Sequence, residues 1–198
     1  MKSVMKHNFS MIPQVNIPRS TFDRSHGYKT TFDTDYLIPF FVDEALPGDT
    51  FEQKHTIFAR MTTPIVPFMD NLVLETFYFA VPNRLVWDNW QKFNGEQAKP
   101  GDSTDYLVPQ VVAPVGGFTE SSLYDYMGIP TKKANLSVNA LYMRAYNLIY
   151  NEWFRDQNLI DSLEVPTGDG PDTHSKFVLQ KRGKRHDYFT SALPWPLS

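Results

Sequence analysis

The sequence predicts a mainly β scaffold that carries long loops and inserted helices. Three observations predict it. Short apolar runs of strand length fall between residues 36 and 79. Fifteen prolines against ten glycines punctuate the chain into rigid connections. Helical periodicity is confined to a few stretches after residue 83, without the regular βα alternation of a compact α/β enzyme. The 198 residues suit one domain, or one and a half. A compact chain of that length buries on the order of 70% of its unfolded surface. With 41% hydrophobic and 15% aromatic residues and a net charge of only -3, disorder throughout is excluded. No apolar run approaches the roughly 20 residues of a membrane helix. The start, Met1–Asn8, has no apolar stretch behind its charges and does not read as a secretory signal. The absence of Cys excludes disulfide and thiolate chemistry and fits a reducing compartment.

Residues 1–30 read as an extended arm. They contain Pro13 and Pro18, polar spacing and no helical or strand period. Fully stretched, the arm reaches on the order of 100 Å. Its scattered apolar residues, among them Phe9, Ile12, Ile17 and Phe22, cannot make a core of their own. They need a surface to lie on, either the body of the same chain or a neighbour. With Arg19 and Arg24 they are the candidate subunit contacts. Residues 31–198 form the body. Tyr36–Val42 is a short apolar run in which Pro39 removes a ladder donor, which places it at an edge or bulge. Leu46-Pro47-Gly48-Asp49 is a turn, with Pro and Gly where a type II turn uses them. Residues 50–60 alternate imperfectly, with Phe51, Gln53, His55, Ile57 and Ala59 on one side. Leu72–Phe79 is the strongest strand, apolar on both faces, and belongs between two layers or at a subunit contact.

Three helical insertions follow, at about 84–94, 120–127 and 138–159. In the first, Asn83 is a candidate N-cap, Val86, Trp90 and Phe93 share a face, and Gly95 stands at the stop. The second ends at Gly128 and Pro130. In the third, Val138, Leu141, Tyr142, Ala145, Leu148, Ile149 and Trp153 make the stripe. Residues 95–118 and 164–175 are Gly/Pro-rich loops.

Charge lies in blocks. Residues 1–30 carry five Lys or Arg against Asp23 alone, residues 33–52 carry six acids and no base, and 176–186 carry five bases and no acid. Each block alone is an ordinary solvated surface. Together, blocks of opposite sign attract copies of a chain or steer a polyanion. Lys181, Arg182, Lys184 and Arg185, followed by Tyr188 and Phe189, are the candidate nucleic-acid residues: the cations neutralise phosphates and the rings stack on unpaired bases.

Signs of catalysis are thin. The five His show no metal-ligand spacing, and no cofactor motif is present. Asp23, Ser25 and His26 fall within four adjacent arm residues, whereas a triad converges from separate elements. Trp87 and Trp90 suit a core helix better than a sugar platform. Glu152 and Asp156 share a helix face and suit a charged surface better than an acid–base pair. These four residues nonetheless define an alternative, a glycan-binding or glycan-hydrolysing β-sandwich.

Longer motifs point elsewhere. FDRSHGYKTTFD (Phe22–Asp33), LIPFFVDE (Leu37–Glu44), LPGDTF (Leu46–Phe51), VPNRLVWDNW (Val81–Trp90), RAYNLIYNEWFRD (Arg144–Asp156) and RHDYFTSALPWP (Arg185–Pro196) occur in this order. In them the chain resembles the major capsid proteins of Microviridae, small icosahedral single-stranded DNA phages, and specifically the gokushovirus branch. The resemblance runs over nearly the whole chain. It implies a viral jelly roll, an eight-stranded β-sandwich or barrel, with long inter-strand insertions. It implies a homo-oligomer, with pentamers and sixty copies in a T=1 shell around packaged single-stranded DNA, beside other virion proteins and without a membrane. The implied location is the virion, assembled in the bacterial cytoplasm, and the implied role is structural, with no enzymatic activity and no cofactor. Members of the family are much longer, so the expectation is an N-terminal portion and an incomplete roll with unpaired strand edges.

Overall fold

The computed structural model describes residues 18–69, 71–183 and 188. Regular structure among them begins at Asn83. In chain order it comprises a 3-10 turn Asn83–Leu85, α1 (Trp90–Phe93), β1 (Gln110–Val112), α2 (Leu123–Tyr126), β2 (Ser137–Asn139), α3 (Leu141–Ile149), a π-helical turn Tyr150–Phe154 and a 3-10 turn His174–Lys176. β1 and β2 pair antiparallel with Val111 opposite Val138. No described helix is long and apolar enough to cross a membrane.

The expectation of a mainly β fold needs correction for these residues. The runs 36–42, 50–60 and 72–79 form no paired strand, and a bridge between Tyr36 and Lys181 is the one ladder contact they make. A run becomes a strand only when backbone hydrogen bonds join it to a second one, and among the described residues these runs meet through the rings of Phe40, His55 and Tyr78 without such bonds. Ile57, Phe58, Leu72, Val73 and Leu74 all remain exposed, while Phe77 and Phe79 pack on Phe154, so 50–60 and 72–79 are covered only in part. The described residues do not by themselves build a jelly roll.

Local signals explain the helices and where they stop. Ser122 caps α2 by accepting the Asp125 N–H, and the Asp125 carboxylate accepts the Ser121 N–H at 2.8 Å. Gly128, at φ 82°, closes α2 from the left-handed region. The expected helix over 84–94 is divided. Asp88 leaves the helical ladder to donate its N–H to the Thr167 carbonyl at 2.9 Å, and Trp87 Nε1 donates to Asp169 at 2.8 Å. Of the expected 138–159 helix, Val138 belongs instead to β2, and Asn139 Oδ1 accepts the Leu141 N–H to open α3. The far end stops at Arg155, whose backbone turns extended. Asp156 then accepts the Asn158 N–H with its own side chain, offering the backbone an alternative to further helix.

The core has two parts. Val111, Phe118, Leu123, Tyr124, Ala140, Met143 and Phe177 form the larger one, with Phe118 and Tyr124 stacked at 3.9 Å. Val86, Trp87 and Leu141 form the smaller one, flanked by Trp90, Tyr106 and Leu148. A close approach of backbone to backbone shapes the rim of the larger part. A Cβ on Gly117, at φ 75°, would stand 2.4 Å from the Lys133 nitrogen, so this turn admits only glycine.

A buried ion pair joins the two parts. Arg144 Nε and Nη2 donate to the two Asp172 oxygens at 2.7 and 2.8 Å, and Nη1 donates to the Val86 carbonyl at 2.9 Å. The two side chains are 0% and 5% exposed. The Asp172 N–H continues the chain to the Gln110 carbonyl on β1 at 2.8 Å. Removing one partner of a buried pair leaves an uncompensated charge, so Arg144→Ala is expected to cost about 3–5 kcal/mol of folding stability. Removing both, with Asp172→Ala as well, should restore part of that loss. Urea unfolding followed by tryptophan fluorescence measures each step.

Candidate functional site

The arm is the first candidate surface. Phe9, Ile12 and Ile17 lie outside the described residues, while Arg19, Phe22 and Arg24 lie within them. The structure lays residues 18–32 against their own chain. Arg19 Nη1 donates to the Gly48 carbonyl at 2.7 Å. Arg24 pairs with Asp43, and the His26 ring stacks on Phe41 at 6.1 Å. Each step forward along the arm matches an equal step back along 41–48. That relation defines two antiparallel runs folded about Asp33 and Thr34. No backbone hydrogen bond links the two runs, so side chains alone hold the register.

Further along, the arm is fastened to α2. Tyr28 Oη donates to the Tyr126 carbonyl at 3.0 Å, and Tyr126 Oη donates to the Thr31 carbonyl at 2.9 Å. Burial pushes the Tyr28 phenol above its ordinary pKa. Arg24, His26 and Tyr28 are alternate residues, so one face of the arm makes these three contacts, as in a strand. This period of two went unread in the sequence because hydropathy does not score Arg, His and Tyr as a stripe. Large side chains at every second position from Phe22 to Tyr28 were the available signal. Phe22 shares the face but stays 78% exposed.

The run opposite is held by the body. Tyr142 Oη donates to Glu44 Oε1 at 2.7 Å, and burial, with Glu44 beside it, raises the Tyr142 pKa. At the base of the fold-back, Arg182 N–H donates to the Asp35 carbonyl at 2.7 Å and Leu37 N–H to the Gln180 carbonyl at 2.9 Å. Asp35 takes φ 72° there.

The basic cluster is the second candidate. Lys184 and Arg185 lie outside the described residues. Lys181 is exposed, with its Nζ 5.1 Å from the centre of the Tyr36 ring. Arg182 pairs with Glu75, and its guanidinium lies 5.1 Å from Phe77 and 5.8 Å from Phe154. Arg182 therefore clamps the 72–79 run to the body, and a phosphate would have to compete with Glu75 for it. Tyr188 is exposed.

The residues of the glycan alternative do not converge. Trp87 is fully buried and stacks near Trp90 and Phe93 at 6.2 and 5.3 Å. Asp156 is also fully buried, which corrects its reading as a helix-surface charge, while Glu152 is exposed. Ser25 Oγ donates to Asp23 at 2.5 Å, and His26 Nδ1 donates to the Arg24 carbonyl at 2.8 Å, so neither points toward a shared reaction centre. Among the described residues no three His, Asp or Glu side chains gather as a metal site.

The arm clasp has a definite pH response. The Arg24 hydrogen bond, aided by the Glu44 N–H and the nearby His26, holds the Asp43 carboxyl below its ordinary 3.8. A carboxyl with a lowered folded pKa contributes stability above its unfolded pKa and loses it as pH falls through the folded value. The Arg24–Asp43 contact is therefore expected to hold at pH 4 and to loosen only as pH falls below the ordinary 3.8. NMR shifts of the Arg24 side chain across an acid titration check this, and Asp43→Asn should abolish the transition.

Comparison with known proteins now bears on the same residues. The family model described as "Capsid protein (F protein)" matches residues 10–198. The chain is 59% identical over 191 residues to capsid protein VP1 of Bdellovibrio phage phiMH2K, covering 96% of this chain and 36% of that protein. It is 53% identical over 215 residues to capsid protein VP1 of Chlamydia phage 1, covering 98% and 36%. It is 38% identical over 202 residues to capsid protein VP1 of Spiroplasma virus 4, covering 96% and 36%. The chain thus spans about a third of the length of the curated relatives it matches. The motifs from Phe22 to Pro196 and the fold-back of the arm on 41–48 all fall inside the matched region, and the chain belongs to the capsid protein (F protein) family.

Proposed function

We propose that this chain is part of the structural subunit of a small single-stranded DNA phage capsid, located in the virion and assembled from many copies in the bacterial cytoplasm. Membership in the capsid protein family carries the reading. The exposed apolar run supports it physically. Thirteen large apolar side chains between Phe51 and Tyr78 are exposed, among them Phe58 at 89%, Ile65 at 103% and Met69 at 95%. A soluble monomer rarely leaves a contiguous apolar patch larger than about 300–600 Å² uncovered. In an assembled shell, neighbouring copies and further strands of a jelly roll cover such a run and complete its ladders. A sixty-copy shell built from pentamers, with other virion proteins attached, is the finer form of the proposal. The role is structural rather than enzymatic.

Lys181, Lys184 and Arg185 are the residues we assign to packaged DNA, with Arg182 joining only when it leaves Glu75.

Electron microscopy of purified protein is expected to show shells or pentamers, and a stable monomer at high concentration would refute the assembly reading. Deleting residues 1–30 should impair assembly more than folding, with circular dichroism almost unchanged. Lys184→Glu with Arg185→Glu should weaken single-stranded DNA binding. It should also flatten the log–log salt slope by roughly 0.7 per lost phosphate contact. A slope that does not move would exclude phosphate contact at these residues.

A further inference from the structure

We propose that residues 18–32 are an exchangeable strap, which closes on its own chain in an isolated subunit and on the same surface of a second copy in the assembly. The inference rests on the assembly reading above and names the partner of the arm.

Four observations carry it. The first is how the strap is attached. Every residue from 18 to 32 is exposed, and no backbone hydrogen bond ties the segment to the rest of the described chain. Its attachments run through side chains: Arg19 to Gly48, Arg24 to Asp43, His26 to Phe41, and the two tyrosine bonds between the arm and α2. Such contacts release without unfolding any element.

The second is the pivot. Asp35 and Leu37 are pinned to Arg182 and Gln180 by backbone hydrogen bonds, just after the turn at Thr34 and Asp35. The chain is held by backbone bonds on one side of this point and by side-chain contacts on the other. Swinging the strap outward therefore costs a change at two or three residues.

The third is charge. The receiving run, 41–48, carries Asp43 and Glu44 and no Lys or Arg, while residues 18–32 carry Arg19, Arg24 and Lys29 against Asp23. The attraction is the same whether strap and receiver come from one chain or two. A surface that already fits the strap within a chain fits it equally on a copy, so exchange needs no new complementarity.

The fourth is what closure on its own chain leaves undone. Phe22 and Phe32 remain 78% and 48% exposed after the strap has closed. A second body brought against the strap supplies the apolar cover that its own chain does not.

Paired charge reversals in the full chain test the exchange. Arg24→Asp and Asp43→Arg each set like charges facing within a copy and between identical copies. Mixed in equal amounts, they are complementary only between different copies. The double variant, Arg24→Asp with Asp43→Arg, is complementary in both modes and controls for folding. In sedimentation velocity each single variant alone should associate roughly twofold to fivefold more weakly, the range an exposed ion pair spans. The equal mixture should return toward the wild-type association. If the mixture only averages the two single variants while the double variant and wild type both associate, the strap closes within its own chain and the exchange is refuted, with the assembly reading intact. If wild type itself stays monomeric, the assembly reading falls and the exchange falls with it.

Discussion

The buried Arg144 guanidinium is the constraint around which the described part of the molecule is arranged. A cation that is 0% exposed must have its N–H groups satisfied by protein. Meeting that demand requires Asp172 and the Val86 carbonyl to arrive at the same place on α3. Asp172 in turn bonds β1 through its backbone, so a helix, a sheet edge and two loops share one polar centre. The apolar side chains on either side could pack in several arrangements of similar area. The fork of Arg144 accepts far fewer, because a misplaced partner strands a charge in a dry site. On this view the pair contributes mostly to uniqueness of the packing, and burial of Trp87, Phe118, Met143 and Phe177 contributes most of the stability.

Residues before about 80 are attached differently. They hold to the body through the Tyr142–Glu44 and Tyr146–Leu37 hydrogen bonds, the Arg182–Glu75 pair and the rings of Phe77 and Phe79 against Phe154. Only the two backbone bonds at Asp35 and Leu37 resemble secondary structure. Stability in the chain is therefore uneven, with a well-packed centre and a periphery joined at points. The periphery also carries most of the exposed apolar area. In the proposed assembly, the segments that would meet other copies are thus separate from the packed centre.

What the sequence revealed follows the range of the interactions involved. The stops at Gly95 and Gly128 and the helical stripe through Leu141, Ala145 and Leu148 depend on near neighbours, and they were legible. The strands at 50–60 and 72–79 depend on a hydrogen-bonded partner that sequence cannot place, and among the described residues the two runs meet only through side chains such as His55 and Tyr78. Arg144 lay inside the motif that carried the family resemblance, yet its burial was invisible, because Arg is read as a surface residue. Asp156 was misread for the same reason. Asp172, 28 positions beyond Arg144 in a Gly/Pro-rich loop, gave no local hint of being its partner. The face of the arm was hidden in another way. Its alternation is written in Arg, His and Tyr, which act here through charge, stacking and hydroxyl groups rather than hydropathy.

The strength of the arm's contacts bears on what the arm is for. An exposed pair such as Arg24–Asp43 is worth at most about 1 kcal/mol, and a typical hydrogen bond from a tyrosine about 1 kcal/mol net. A handful of such contacts holds a strap closed without locking it. A segment meant only to stabilise one chain gains by burying its aromatic residues, yet Phe22 is left outside. Weak contacts suit a closed assembly, because they form with high effective concentration once several copies are in place and let go when a copy is misplaced. Error correction during assembly needs this reversibility at the joints and rigidity within the parts. In the proposed assembly the Arg144 centre would supply the rigidity, and the side-chain fastenings of residues 18–32 the reversibility.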